Sequence, residues 1–202
     1  MLPTKESELV NTIDDSLDKM NIGSPYRENP EDRVVVILDV RNITCRQSME
    51  YSNTCMDYSK LLRDTIGGRQ CAVALAVDGV SYDERGRDVY RIFHSELKKA
   101  GFRVVLVPAS NNKGKQEGVD VKIALLAQKY ALLNKCDIVE LITGDGDFTV
   151  LVQDLQEEGV RVNVTSFSAN LSYSLKDKAD EVRILDDMPL VKMEQKTIEG
   201  GC

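Results

Sequence analysis

The segment spanning residues 142–152, "ITGDGDFTVLV", sets Asp145 and Asp147 one glycine apart between two apolar runs. Two carboxylates about 5 Å apart repel by roughly 3 kcal/mol at an effective dielectric of 20, so such a pair is costly unless something answers its charge. Asp39 in "VVILDVRN" and Asp78 in "ALAVDG" end other apolar runs, and Asp120 in "KQEGVDVKIA" opens a helical pattern. Each has a plain reading when taken alone. Asp120 favours a helix N-terminus through the dipole, by about 0.3–1 kcal/mol. Asp145 is a ready N-cap, Asp147 a first-turn carboxylate, and Asp39 a turn former. Gathered at one place they would destabilise the fold or force protonation, and a divalent cation removes that problem. Oxygen donors without His or Cys point to Mg²⁺ or Mn²⁺ rather than Zn²⁺; magnesium takes one or two direct carboxylates and keeps waters and phosphates as its other ligands. Gly146 lets the backbone turn sharply between the two acids.

The elements that would gather these acids are legible in the hydropathy pattern. Residues 33–40 (RVVVILDV), 71–78, 102–108, 137–143 and 160–167 are short, apolar on both sides and rich in Val, as buried parallel strands are. Residues 48–66, 85–101, 118–134 and 148–159 carry apolar positions at spacings of three and four. This alternation predicts an open, mostly parallel sheet of five to six strands with helices on both faces, residues 181–186 being the sixth strand at an edge. Sites in such sheets lie outside the carboxyl ends of the strands, where Asp39, Asp78, Asp145 and Asp147 fall. Residues 1–32 read as a helical arm, with Leu9, Ile13, Leu17 and Met20 at helical spacing, and its linker; 33–188 as the domain; 189–202 as a tail expected to be disordered.

Composition narrows the setting. The net charge of −7 disfavours a non-specific polyanion binder, though not an enzyme that meets nucleic acid through a local basic patch and a metal. No run of about 18 apolar residues is present, so no membrane span is expected. The acidic N-terminus lacks the layout of a signal peptide. The five cysteines include no CxxC pair, and with the single His94 they disfavour zinc and disulfides alike. A cytoplasmic protein with reduced, mostly buried thiols is predicted, with His94 at the surface or paired.

The segments "VVVILDVRNI", "GVDVKIALLA" and "DIVELITGDGDFTVLVQDLQEEGVRVNV", in this order, resemble the LabA-like branch of the NYN domains, in the PIN-like nuclease superfamily, over about residues 33–186. The resemblance implies a Rossmann-like three-layer α/β sandwich and an Mg²⁺- or Mn²⁺-dependent phosphodiesterase site acting on RNA. It makes Asp39, Asp120, Asp145 and Asp147 the metal carboxylates and Asn42 their catalytic polar partner. Thr143 takes the family's Ser/Thr position before the glycine, which implies that it orients the neighbouring carboxylates. Two positions depart from the pattern: Leu126 stands where many LabA-like chains have a further acid, and Glu117 where Lys is common. Lys113 and Lys115 could supply the missing cation.

The function expected is therefore hydrolysis of phosphodiester bonds in nucleic acid, single-stranded or structured RNA above all, with Arg41, Lys113, Lys115 and Thr143 on the substrate side. The alternative is a module with a degraded site that binds RNA or a protein partner, which Leu126 favours. An aspartyl phosphotransferase of the haloacid-dehalogenase type would place a second Asp two positions after Asp39, where this chain has Arg41. The amphipathic arm could pack on its own domain or cross a homodimer.

Overall fold

Strands with apolar residues on both sides must be covered on both faces, and the chain alternates accordingly. The computed structural model describes residues 29–44, 54–80, 87–108, 118–186 and 190–192. Its elements in chain order are β1 (Arg33–Asp39), β2 (Thr54–Met56), α1 (Tyr58–Ile66), β3 (Gln70–Val80), α2 (Arg87–Lys99), β4 (Arg103–Pro108), α3 (Val119–Leu132), β5 (Ile138–Ile142), α4 (Thr149–Glu157), β6 (Arg161–Ser166), α5 (Tyr173–Lys178), β7 (Glu181–Ile184) and β8 (Leu190–Lys192). Six of the strands form one sheet in the order β4-β3-β1-β5-β6-β7, every pair parallel. The chain builds outward from β1 in one direction, then returns to β5 and builds outward in the other. β1 and β5 therefore flank the point where the strand order reverses, the place where open α/β sheets leave a crevice at their carboxyl ends.

Alternation along each strand divides the core in two. Val35, Ile37, Val139, Leu141, Val162 and Val164 face α3, α4 and α5 through Ile123, Ala127, Leu151, Leu155 and Leu175. Val34, Val36, Leu38, Ile138 and Ile142 face α1 and α2 through Leu61, Leu62 and Leu97. The result is the predicted three-layer sandwich, with β7 as the sixth strand.

Local chemistry sets the helix starts. Asp57 caps α1 by accepting from the Lys60 N–H at 2.8 Å, and Ser172 caps α5 by accepting from the Leu175 N–H at 3.2 Å. The predicted helix over 48–66 is corrected here. It begins at Tyr58, and Thr54–Met56 is instead a strand antiparallel to β8. Leu190–Lys192 lie in the predicted C-terminal tail and are extended for the same reason. A period read within one segment cannot reveal a strand whose partner comes from the far end of the chain. The arm and most of its linker, residues 1–28, and the tail from residue 193 lie outside the described residues.

One polar network penetrates the face covered by α1. The side chains of Arg69 and Glu140 are 2% and 1% exposed and pair at 2.6 Å; Arg69 also donates to the Thr65 carbonyl (2.6 Å) and the Ile66 carbonyl (2.8 Å). Asn163 Nδ2 donates to the same Glu140 oxygen at 2.9 Å, and Arg161 Nε donates to Asn163 Oδ1 at 3.0 Å. The network thus ties the end of α1 to β5 and β6. Removing one member of such a pair leaves the other charge buried and unanswered, at a cost of about 3–5 kcal/mol. Glu140→Ala should lower the unfolding free energy by about that much, and Arg69→Met with Glu140→Leu should recover most of it. Chemical denaturation of the two variants beside the parent protein measures both.

Candidate metal centre

The β1–β5 register pairs Leu38 with Ile142, which sets Asp39 beside Thr143 at the carboxyl ends of the two strands. Thr143 Oγ1 donates to Asp39 Oδ2 at 3.1 Å, and Asp39 Oδ1 accepts from the Asn42 N–H at 3.2 Å because the chain turns helical directly after the strand. The Thr143 hydroxyl also accepts from the Asp145 N–H at 3.3 Å. Asn42 Oδ1 accepts from the Gly144 N–H at 2.9 Å and from Asn170 Nδ2 at 2.6 Å, so one side chain joins the ends of β1, β5 and β6.

Above this base sit three more carboxylates. Asp145 caps a 3₁₀ turn, Gly146–Phe148, accepting from the Asp147 N–H through Oδ1 at 3.0 Å. Asp120 projects from the first turn of α3. Asp120, Asp145 and Asp147 each offer an oxygen within 4.8 Å of the other two. Around a cation with bonds of about 2.1 Å, ligand oxygens stand about 3.0 Å apart in cis and about 4.2 Å apart in trans. The three groups thus need only small rotations to share one hard divalent ion, and their all-oxygen chemistry fits Mg²⁺ or Mn²⁺.

Electrostatics carries the same sign. Asp39 is 5% exposed, and its pKa is raised to about 6, first by burial and further by the charges of Asp120 and Asp145, against the opposing hydrogen bonds from Asn42 and Thr143. The Asp120 carboxyl is also pushed up, by partial burial and by Asp145 and Asp147. An added positive charge relieves every one of these repulsions. Asp39 does not belong to the group of three within 4.8 Å, but it is coupled through charge to Asp120 and Asp145.

The structure therefore brings together Asp120, Asp145 and Asp147, with Asp39 at their base. Thr143 is 1% exposed and orients Asp39 and the Asp145 backbone, the orienting role expected of its place before the glycine, and its burial sets it apart from the substrate side. Two further expectations change. Asn42 uses its side-chain carbonyl to hold the β5 and β6 loops rather than to meet a carboxylate. Gly146 matters for space more than for backbone freedom, since a Cβ there would stand 2.9 Å from Ser172 Oγ. Arg41 is half-exposed, its Nε 4.0 Å from Asp78 Oδ1. Asp78 accepts from or donates to His94 Nε2 at 2.8 Å, which makes His94 a paired, buried histidine. The alternation of β3 turns Asp78 to the face covered by α1 and α2, away from the acid group. Lys113, Lys115 and Glu117 lie outside the described residues. Leu126 packs half-buried against the core. Of the described cysteines, Cys136 is buried and Cys71 exposed, both as free thiols. Asn170, Ser172 and Ser174 escaped notice, although "SANLSYS" follows a strand end and the same edge rule applies to it.

Two consequences can be measured. The Asp39 pKa is higher in the folded protein than its ordinary value near 3.8, so its stabilising contribution is full below that value and is lost as pH rises through about 6. At about 1.4 kcal/mol per pKa unit, the metal-free protein should lose roughly 1–3 kcal/mol of stability across this window, and Asp39→Asn should flatten the slope. Thermal unfolding between pH 4 and 7 tests it. Gly144 faces a harder limit: a Cβ would lie 2.3 Å from the Asn170 carbonyl oxygen and 2.6 Å from Ser166 Oγ. Gly144→Ala should therefore cost more than about 1–3 kcal/mol, the usual range for overpacking, because a backbone atom has to move. Denaturant titration gives that value directly.

Comparison with known proteins follows this geometry. A crystal structure of a protein of unknown function from Vibrio parahaemolyticus superposes with a TM-score of 0.69 at 28% sequence identity, covering 82% of this chain and 100% of that one. No curated protein matches the chain. Among the described residues no helix is long and apolar enough to cross a membrane. The NYN domain model matches residues 33–186, from the first residue of β1 to just beyond β7, and the chain belongs to the NYN domain family.

Proposed function

We propose that this NYN domain is a divalent-metal-dependent nuclease that hydrolyses phosphodiester bonds, with single-stranded or structured RNA as its substrate. The convergence of Asp120, Asp145 and Asp147 within 4.8 Å at the point of strand-order reversal carries this reading. These three would hold Mg²⁺ or Mn²⁺, with the Asp39 carboxylate adding negative charge beneath them. A cation bound there supplies Lewis-acid polarisation of a phosphate and makes water more acidic. Thr143 and Asn42 keep the carboxylates in place. Arg41, together with Lys113 and Lys115 from the loop ahead of α3, would contact the phosphates of the strand. The segment "ITGDGDFTVLVQDLQEEGVRVNV" supports placement in the LabA-like branch, and the free thiols fit a cytoplasmic setting.

A second reading is a catalytically weak module that binds RNA or protein. Leu126 favours it, because that side chain packs on the core and offers no oxygen for a further metal. Divalent-ion titration separates ion binding from its loss: an intact site raises the melting temperature as Mn²⁺ is added, and Asp120→Asn removes the rise. Purified protein incubated with labelled RNA and DNA, single- and double-stranded, tests catalysis itself. Mn²⁺-dependent cleavage should fall about a hundredfold or more in Asp145→Asn, with the folded state retained. Undiminished cleavage by that variant, or cleavage that survives chelation, would rule the nuclease reading out.

A further inference from the structure

α3 is apolar on two opposite sides. Val119, Ile123, Ala127 and Ala131 face the sheet and are buried. Val121, Leu125 and Leu132 are 62%, 58% and 67% exposed, and Leu133 just beyond the helix is exposed as well. At about 100° per residue, positions 121, 125, 128 and 132 fall within about 60° of one another, directly opposite the buried side. The outer side is therefore a stripe of three large aliphatic groups broken only by Gln128. A helix with apolar residues all round belongs in an interior, and a contiguous exposed stripe marks a contact surface. Lys122 and Lys129 run along one flank of it, seven residues apart.

The N-terminal segment has the complementary character. Leu9, Ile13, Leu17 and Met20 recur at helical spacing, and residues 1–22 carry five acids (Glu6, Glu8, Asp14, Asp15, Asp18) against two lysines (Lys5, Lys19). The start of β1 lies close to the end of α3. The Arg33 backbone N–H donates to Asp137 Oδ2 at 2.8 Å, and its guanidinium donates to the Asn134 carbonyl at 2.6 Å. β1 thus begins beside the C-terminal end of α3. Residues 21–28 reach up to about 26 Å when extended, at about 3.3 Å per residue. α3 itself is about 21 Å long.

We propose that residues 9–20 dock as an amphipathic helix along the outer stripe of α3 in the same chain, with Asp14, which borders the apolar side of the arm, next to the flank that carries Lys122 and Lys129. A second copy is the poorer occupant. Two α3 stripes packed antiparallel across a two-fold axis would oppose lysine to lysine, whereas the arm brings net negative charge and a short tether that raises its local concentration.

Amide hydrogen exchange on the full-length protein tests this. Amides of residues 9–20 should exchange at least about tenfold more slowly than in an unstructured peptide, equally at low and high protein concentration. Leu125→Asp with Leu132→Asp should abolish that slowing while β1 and β5 stay protected, which shows the fold is intact. Ile13→Asp with Leu17→Asp, which cannot disturb the domain, should abolish it too. Light scattering should give a monomer throughout. Unprotected arm amides overturn the proposal, as does protection that survives both double substitutions. Protection that grows with concentration alongside a dimer mass would assign the stripe to a second copy and overturn it equally.

Discussion

The parallel pairing of β1 with β5 is the constraint on which the rest of the molecule depends. It joins the two halves of the sheet at the only place where the strand order reverses, and its register aligns Asp39 with Thr143. A slip of one residue would turn Asp39 to the other face and break the Thr143 hydrogen bond, since side chains alternate strictly along a strand. The apolar residues on both faces of the two strands, together with the Glu140 pairing to Arg69 and Asn163, hold the register. Asn42 then fastens the loops at the carboxyl edge, so the site stands on rigid elements.

The two faces of the sheet carry opposite electrostatic strategies. Beneath α1, Glu140 is fully paired: an arginine answers its charge and an asparagine shares its oxygen, which makes a buried carboxylate tolerable. At the carboxyl edge, burial raises the Asp39 pKa to about 6, and Asp120 and Asp145 push it further up against the two hydrogen bonds that it receives. Asp120, Asp145 and Asp147 converge at the same edge, and among the described residues no ion pair to these three or to Asp39 is present. That contrast is the physical basis for reading the crevice as a place built around a hard cation.

The plain and the functional explanations of the acids turn out to be compatible. Asp145 does cap a helical turn, and Asp120 does sit in a first helical turn where the dipole favours it. Capping uses Oδ1 of Asp145, and the helix starts are what aim the carboxylates at one another. Ordinary helix chemistry thus supplies the positioning, and the sheet supplies the convergence.

Much of this was legible in the sequence. Val-rich runs such as "RVVVILDV", apolar on both sides, allow only a sheet covered on both faces, and the spacing between them leaves room for one helix each; strand ends then marked Asp39, Asp145 and Asp147 as edge residues. The helical start in "KQEGVDVKIA" added Asp120. What a one-dimensional pattern could not hold were pairings between distant segments. Thr54–Met56 is a strand only because Leu190–Lys192 lies beside it. Asn170 matters only because it meets Asn42, and Arg69 is buried only because Glu140 awaits it across the sheet. Thr143 and Asn42 were found by position, but their tasks were decided by which groups lay within hydrogen-bond reach. Hydropathy and local caps are properties of neighbours along the chain, and determined the elements; charge and hydrogen-bond partners are properties of neighbours in space, and the tertiary structure alone decided them.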